Sequence, residues 1–120
     1  MQYNSYNLYY FVIRNHIQGV LIQCMYFVPG TPAYENNKDR LLHKDWSKYN
    51  GNTVHRPKNM SPYELQLEHI DASKRIYSFK RLIKALISED MVHKVLFLGE
   101  FFWHASIRRD LKKELKNLPR

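Results

Sequence analysis

The residues best equipped for chemistry in this sequence are cations spaced at helical repeats. Lys74, Tyr77, Lys80, Arg81 and Lys84 fall within the sixteen residues 73–88, a stretch that holds no acid. At 100° per residue they share the arc opposite Ile76, Phe79, Leu82, Ile83, Leu86 and Ile87. Like charges at i, i+4, as at Lys80 and Lys84, cost roughly a few tenths of a kcal/mol on a solvated helix. A helix under no other demand would carry glutamates between them. Such a face suits phosphates, and Tyr77 adds a ring for base stacking or a hydroxyl for a phosphate oxygen.

Two further basic elements repeat the theme. Arg108, Arg109, Lys112, Lys113 and Lys116 spread over the side opposite Ile107, Leu111 and Leu115, relieved only by Asp110 and Glu114. Lys116 and Lys113 also complement the dipole at a helix C-terminus, a purely structural role. Lys44, Lys48, His55, Arg56 and Lys58 are interleaved with Trp46 and Tyr49. Aromatic rings among cations are what single-stranded nucleic acid binders use, and they equally pin a loop to a core.

Other chemistries are weaker. Glu64, Glu68 and Asp71 at i, i+4, i+7 could hold a hard cation, or simply pair with the neighbouring basic helix. His43, Asp45 and His55 resemble a His-Asn-His nuclease only faintly, with spacing too compact for it. A metal-independent ribonuclease would draw on His55, Arg56, Lys58 and Tyr49. Cys24, the one cysteine, lies in the apolar run 20–28 and reads as a small buried hydrophobe. With four glycines there is no phosphate-binding loop, and no Cys–His or Gly-x-Ser-x-Gly nucleophile pattern appears. The expectation is no catalytic residue, no metal and no cofactor.

The elements that must position these cations follow from composition and pattern. A chain of 120 residues with 44% hydrophobic and 25% charged residues fits one globular domain. The net charge of +8 is split evenly between the halves, so the clusters and not a tail carry the argument. The apolar stretch 8–28 is interrupted by Arg14, Asn15, His16, Gln18 and Gln23, which argues against a membrane span or a leader. A cytoplasmic (intracellular) protein is expected.

Leu8–Ile13 and Val20–Val28 are rich in β-branched and aromatic residues and read as a hairpin around the polar connector 14–19. Pro29-Gly30 then makes a turn. Residues 31–60 read as a long basic loop region, within which Asn50-Gly51 suits a second small hairpin of 44–49 with 52–56. Ser61-Pro62-Tyr63-Glu64 combines an N-cap, a proline at the first helical position and a capping box. Tyr63, Leu67 and Ile70 share one face of the helix that follows. Further helices are expected over 73–88 and 103–118. Val95–Gly99 suits a third strand or a short buried helix, and the need of a hairpin for a third strand favours the former.

The fold class expected is therefore α+β: an N-terminal β-hairpin over 1–30, a third strand near 95–98, and about three helices in a mainly helical 61–120. The function expected is nucleic-acid (DNA or RNA) binding without catalysis. The contacts would be Lys74, Tyr77, Lys80, Arg81, Lys84, Arg108, Arg109, Lys112, Lys113 and Lys116, with Lys48, Arg56 and Lys58 from the loop. The alternative is a protein-binding inhibitor or adaptor docking on an acidic partner, including one that handles nucleic acid. A third is the ribonuclease.

Overall fold

A computed structural model of the chain describes residues 4–120. The element order is α1 (Ser5–Arg14), α2 (Pro32–Glu35), α3 (Pro62–Ile76), α4 (Phe79–Ile87) and α5 (Met91–Glu114), with short 3-10 turns at Lys38–Arg40, Trp46–Lys48 and Leu115–Asn117. Among the described residues no strand and no sheet forms, so the α+β expectation is corrected to an all-helical fold.

The first arm of the expected hairpin is α1. Asn4 caps it by accepting the Tyr6 N–H, and Ser5, Leu8, Tyr9 and Val12 then fall on one side of a 3.6-residue repeat, facing the core. Reading the run from Leu8 alone hides that repeat behind β-prone residue types. The connector 14–19 is not a hairpin loop. His16 takes a left-handed φ of 53°, Ile17 N–H reaches back to the Val12 carbonyl and His16 N–H to that of Ile13, which is a Schellman closure of the helix. The second arm, 20–28, runs along α3 without any ladder, and Pro29-Gly30 ends it in a turn with Gly30 at φ 82°.

Within 31–60 the expected small hairpin is replaced by one antiparallel bridge, Leu41 with His55. Leu42 N–H donates to the Val54 carbonyl at 2.9 Å and Arg56 N–H to that of Arg40 at 2.8 Å, which closes the loop at its base. The Arg40 guanidinium clamps the same place by donating to the Arg56 carbonyl.

Helix α3 begins as its sequence dictates, with Ser61 and Glu64 forming the reciprocal capping box and Pro62 in the first turn. Its buried side is polar: Gln66, His69 and Ser73 lie inward together with Ile70, Ala72 and Ile76, whereas Leu67 is exposed. The single helix expected over 73–88 is broken. Tyr77 leaves the helical conformation and Ser78 caps α4 by accepting the Arg81 N–H. The third strand near 95–98 is corrected too, because those residues form part of the 24-residue α5, started by Asp90 accepting the Val92 and His93 N–H groups.

Gln66 sets the energetic centre. Its amide accepts the Thr53 N–H at 2.8 Å and donates to the Leu111 carbonyl at 2.7 Å, fully out of water. Gln66→Ala should therefore cost about 2–4 kcal/mol, because the buried Thr53 N–H loses its partner, the Leu111 carbonyl loses one of two, and a cavity is left. Leu96→Ala, on an exposed position of α5, should change stability by less than about 0.5 kcal/mol. Urea unfolding of the two variants checks both values.

Candidate functional site

The cations named from sequence separate into two groups in the structure. One group holds the fold together. Arg81 donates to the Ile76 carbonyl at 2.7 Å and the Ile17 carbonyl at 3.3 Å, with its guanidinium over the Phe97 ring. Arg108 donates to the backbone and the hydroxyl of Ser73. Tyr77 is buried, its ring stacked on His104 at 4.2 Å, and its hydroxyl both donates to the Val20 carbonyl and accepts the Val20 N–H. These three residues face inward, away from any base or phosphate.

The other group stays in water. Lys74, Lys80, Lys84, Arg109, Lys112, Lys113, Lys116, Arg56 and Lys58 are exposed, and Lys48 is half-buried. Lys113 lies 3.4 Å from Asp110. The break at Tyr77-Ser78 places Lys74 on α3 and Lys80 with Lys84 on α4, so the continuous basic face of one helix does not exist. In the loop, Trp46 lies 4.7 Å from Tyr49, whose ring in turn meets Tyr26. That ring series ties the loop to the 20–28 segment.

The carboxylates are used locally. Glu64 closes the capping box, Glu68 accepts the Ser5 N–H at 2.7 Å, and Asp71 accepts the Ser5 hydroxyl and the Arg75 guanidinium, each at 2.7 Å. Burial raises the Asp71 pKa, but the hydrogen bonds from Arg75 and Ser5 outweigh it and hold the carboxyl below its ordinary value. No cluster of three metal-ligating side chains exists among the described residues.

A cavity of about 460 Å³ opens between α3, the 20–28 segment and the loop, and its lining includes Cys24, His55, Lys58, Glu68 and His69. Sequence gave no sign of the pair at its wall, since 45 residues separate its members. Cys24 Sγ lies 3.6 Å from His69 Nδ1 and 3.6 Å from the Thr53 hydroxyl. His69 Nε2 lies 3.1 Å from the Ile22 carbonyl, an acceptor only, so the proton sits on Nε2 and Nδ1 accepts from the thiol. Burial pushes the Cys24 thiol up and the His69 ring down, so both are neutral and no thiolate is formed. Of the ribonuclease candidates, His55 and Lys58 share this wall, while Tyr49 sits with Trp46 and Tyr26.

The largest surface feature is apolar. Helix α4 seats Ala85, Leu82 and Arg81 against the body and turns Phe79, Ile83, Leu86 and Ile87 outward, Phe79 and Ile87 each 74% exposed. The first half of α5 is apolar on its outer side: Phe97 and Phe101 face inward with His93, Lys94 and Glu100 half-buried beside them, and Met91, Val92, Val95, Leu96, Leu98, Phe102 and Trp103 face water. Phe79 meets Phe101 edge-on at 5.3 Å and Phe101 meets Phe102 at 5.6 Å, so the two helices share one continuous face. The arc expected to be core is thus largely surface. The total exposed area, 8392 Å², exceeds the roughly 6,900 Å² expected for a folded monomer of this mass. The radius of gyration, 16.0 Å, likewise exceeds the ~13.6 Å of a chain packed to normal density.

No family model matches the chain, and no solved structure matches it. The chain is similar to a bacteriochlorophyllide d C-12(1)-methyltransferase of Chlorobaculum tepidum, 31% identical over 81 residues. The alignment covers 65% of this chain and 17% of that protein, so the chain spans about a sixth of the relative it matches. No helix among the described residues is long and apolar enough to cross a membrane.

The buried rings make stability acid-sensitive. Burial lowers the pKa of His55, His69 and His104. Below the ordinary histidine pKa of about 6.5 the unfolded chain binds protons that the folded one does not, so stability should fall as pH drops from there. Urea midpoints at pH 7.5 and 5.0 should differ in that sense, and an unchanged midpoint would show rings that charge freely in the folded state. For Cys24, alkylation by iodoacetamide at pH 8 should be roughly tenfold or more slower in the native chain than in urea.

Proposed function

We propose that the chain is a protein-docking adaptor that binds a larger partner through the α4–α5 face. The carrying observation is that the first half of α5 turns Met91, Val92, Val95, Leu96, Leu98, Phe102 and Trp103 to water. Soluble monomers rarely expose a contiguous apolar patch of this extent. The excess exposed area is of the order of what one partner contributes to a stable protein interface, about 800 Å² or more.

Charge narrows the partner. On α4 the outward apolar arc is bordered by exposed Lys80 and Lys84, which no described acid pairs. The surface that fits is apolar with carboxylates along one border, in which those lysines set orientation and on-rate while Phe79, Ile83, Leu96, Phe102 and Trp103 supply the anchors. The similarity to about a sixth of a much longer protein named for methyl transfer fits a segment that packs against other parts of a larger assembly.

A second reading, nucleic-acid binding, draws support from Lys74, Arg109, Lys112 and Lys116, which are exposed and make no ion pair among the described residues. It would rest on scattered phosphate contacts, with a linear fall of log affinity against log salt.

Photocrosslinking separates the two. A benzoylphenylalanine at Leu96 should capture one protein in the cells that make this chain, and one at Ser106, beyond the apolar half of α5, should not. Lys80→Glu combined with Lys84→Glu should reduce that capture by about fivefold or more while leaving unfolding unchanged. Equal capture at both positions, none at either, or capture of nucleic acid at Leu96 would overturn the docking assignment.

A further inference from the structure

The 18–28 segment forms a separate surface, and its geometry is that of a strand without a sheet. Burial alternates over 20–25: Val20, Ile22 and Cys24 turn inward, while Leu21, Gln23 and Met25 are exposed, Leu21 at 72% and Met25 at 60%. That period of two is the signature of extended chain. In such a chain the N–H and C=O of one residue share an edge, and successive residues use opposite edges.

The inward edge is satisfied by side chains. The Tyr77 hydroxyl serves both backbone groups of Val20, and His69 Nε2 donates to the Ile22 carbonyl. The opposite edge carries the backbone groups of Leu21, Gln23 and Met25. None of them has a hydrogen-bond partner among the described residues.

We infer that this free edge pairs antiparallel with the same segment of a second copy of the chain, about a two-fold axis at Gln23. The register is self-complementary. It sets Gln23 opposite Gln23 and Leu21 opposite Met25, all on the edge that lacks partners, giving about six backbone hydrogen bonds across the axis. The cross-strand neighbours are then apolar pairs flanking two amides that hydrogen-bond each other.

Charge favours a second copy at this place. The chain carries +8, yet no charged residue occurs between Arg14 and Glu35. Two copies meeting at the basic helices would repel, and two meeting here would not. Edge strands that must stay single are protected by lysine or proline, and residues 18–28 contain neither. The inference stands apart from the docking assignment, because the edge it uses, Leu21, Gln23 and Met25, includes no residue of α4 or α5.

Sedimentation of the full chain at micromolar concentration tests it. The wild type should be a dimer. Gln23→Pro deletes an N–H from the free edge of each copy and should weaken the dimer at least about tenfold, whereas Gln23→Thr, which keeps the N–H, should not. Exchange of the Leu21, Gln23 and Met25 amides should slow with rising concentration, a readout in the wild type that does not depend on the proline variant folding. Ile83→Glu combined with Leu96→Glu should leave the dimer intact. A wild type that stays monomeric, or a dimer lost in the Ile83/Leu96 variant and kept in Gln23→Pro, would overturn the strand assignment.

Discussion

The fold hangs on the polar side of α3. Gln66, His69 and Ser73 lie inward at helical spacing, and Tyr77 continues the row just past the last turn. Each of them binds backbone, or the group that holds it, on a different segment. Gln66 takes Thr53 and Leu111, His69 takes Ile22, Ser73 receives Arg108, and Tyr77 takes Val20. Segment 18–28 has no ladder and 50–56 only the bridge of Leu41 with His55, so buried backbone groups such as those of Val20 and Thr53 need these partners or would be left unpaired. A helix that presents hydrogen-bonding side chains inward here does the work that neighbouring strands do in a sheet.

This constraint explains why three residues chosen for exposed chemistry are internal. Arg81 and Tyr77 bond carbonyls that the break after α3 and the ladderless chain leave without partners, and Arg108 adds a second bond to the Ser73 carbonyl in the last turn of α3. Arginine suits that task because its planar fork serves two acceptors at once, as Arg81 does for the Ile76 and Ile17 carbonyls and Arg40 for the Arg56 carbonyl and Asn37 Oδ1. The lysines, with compact and strongly hydrated heads, are left outside.

The same arrangement leaves two surfaces uncovered. The body around α3 is small, and it covers one side of α4 and one side of the first half of α5. What remains is an apolar helical face and a bare backbone edge around a core in which apolar side chains pack beside the polar row of α3. The two surfaces call on different physics: buried apolar area with lysine steering in one case, and ladder hydrogen bonds in the other. They can be occupied together.

What the sequence determined by itself is local. Ser61 to Glu64 specify the start of α3, Pro29-Gly30 a turn, and the spacing from Trp103 onward a helix with Arg109 and its lysines outside, because each of these depends on groups a few residues apart. The β-like composition of 8–13 and 20–28 could not tell helix from strand. Asn4 and Ser5 settled the first as α1, and the absence of any neighbouring ladder left the second as a strand without a sheet. Only the tertiary structure could decide which face of an amphipathic helix is inside. The arc of Phe79, Ile83 and Ile87 has the pattern of a core and lies in water, since pattern records which residues would gain from burial and not whether this chain has the mass to bury them. The Cys24–His69 contact and the Gln66 bridge were equally invisible, because they join residues 45 apart through a fold that no local signal encodes.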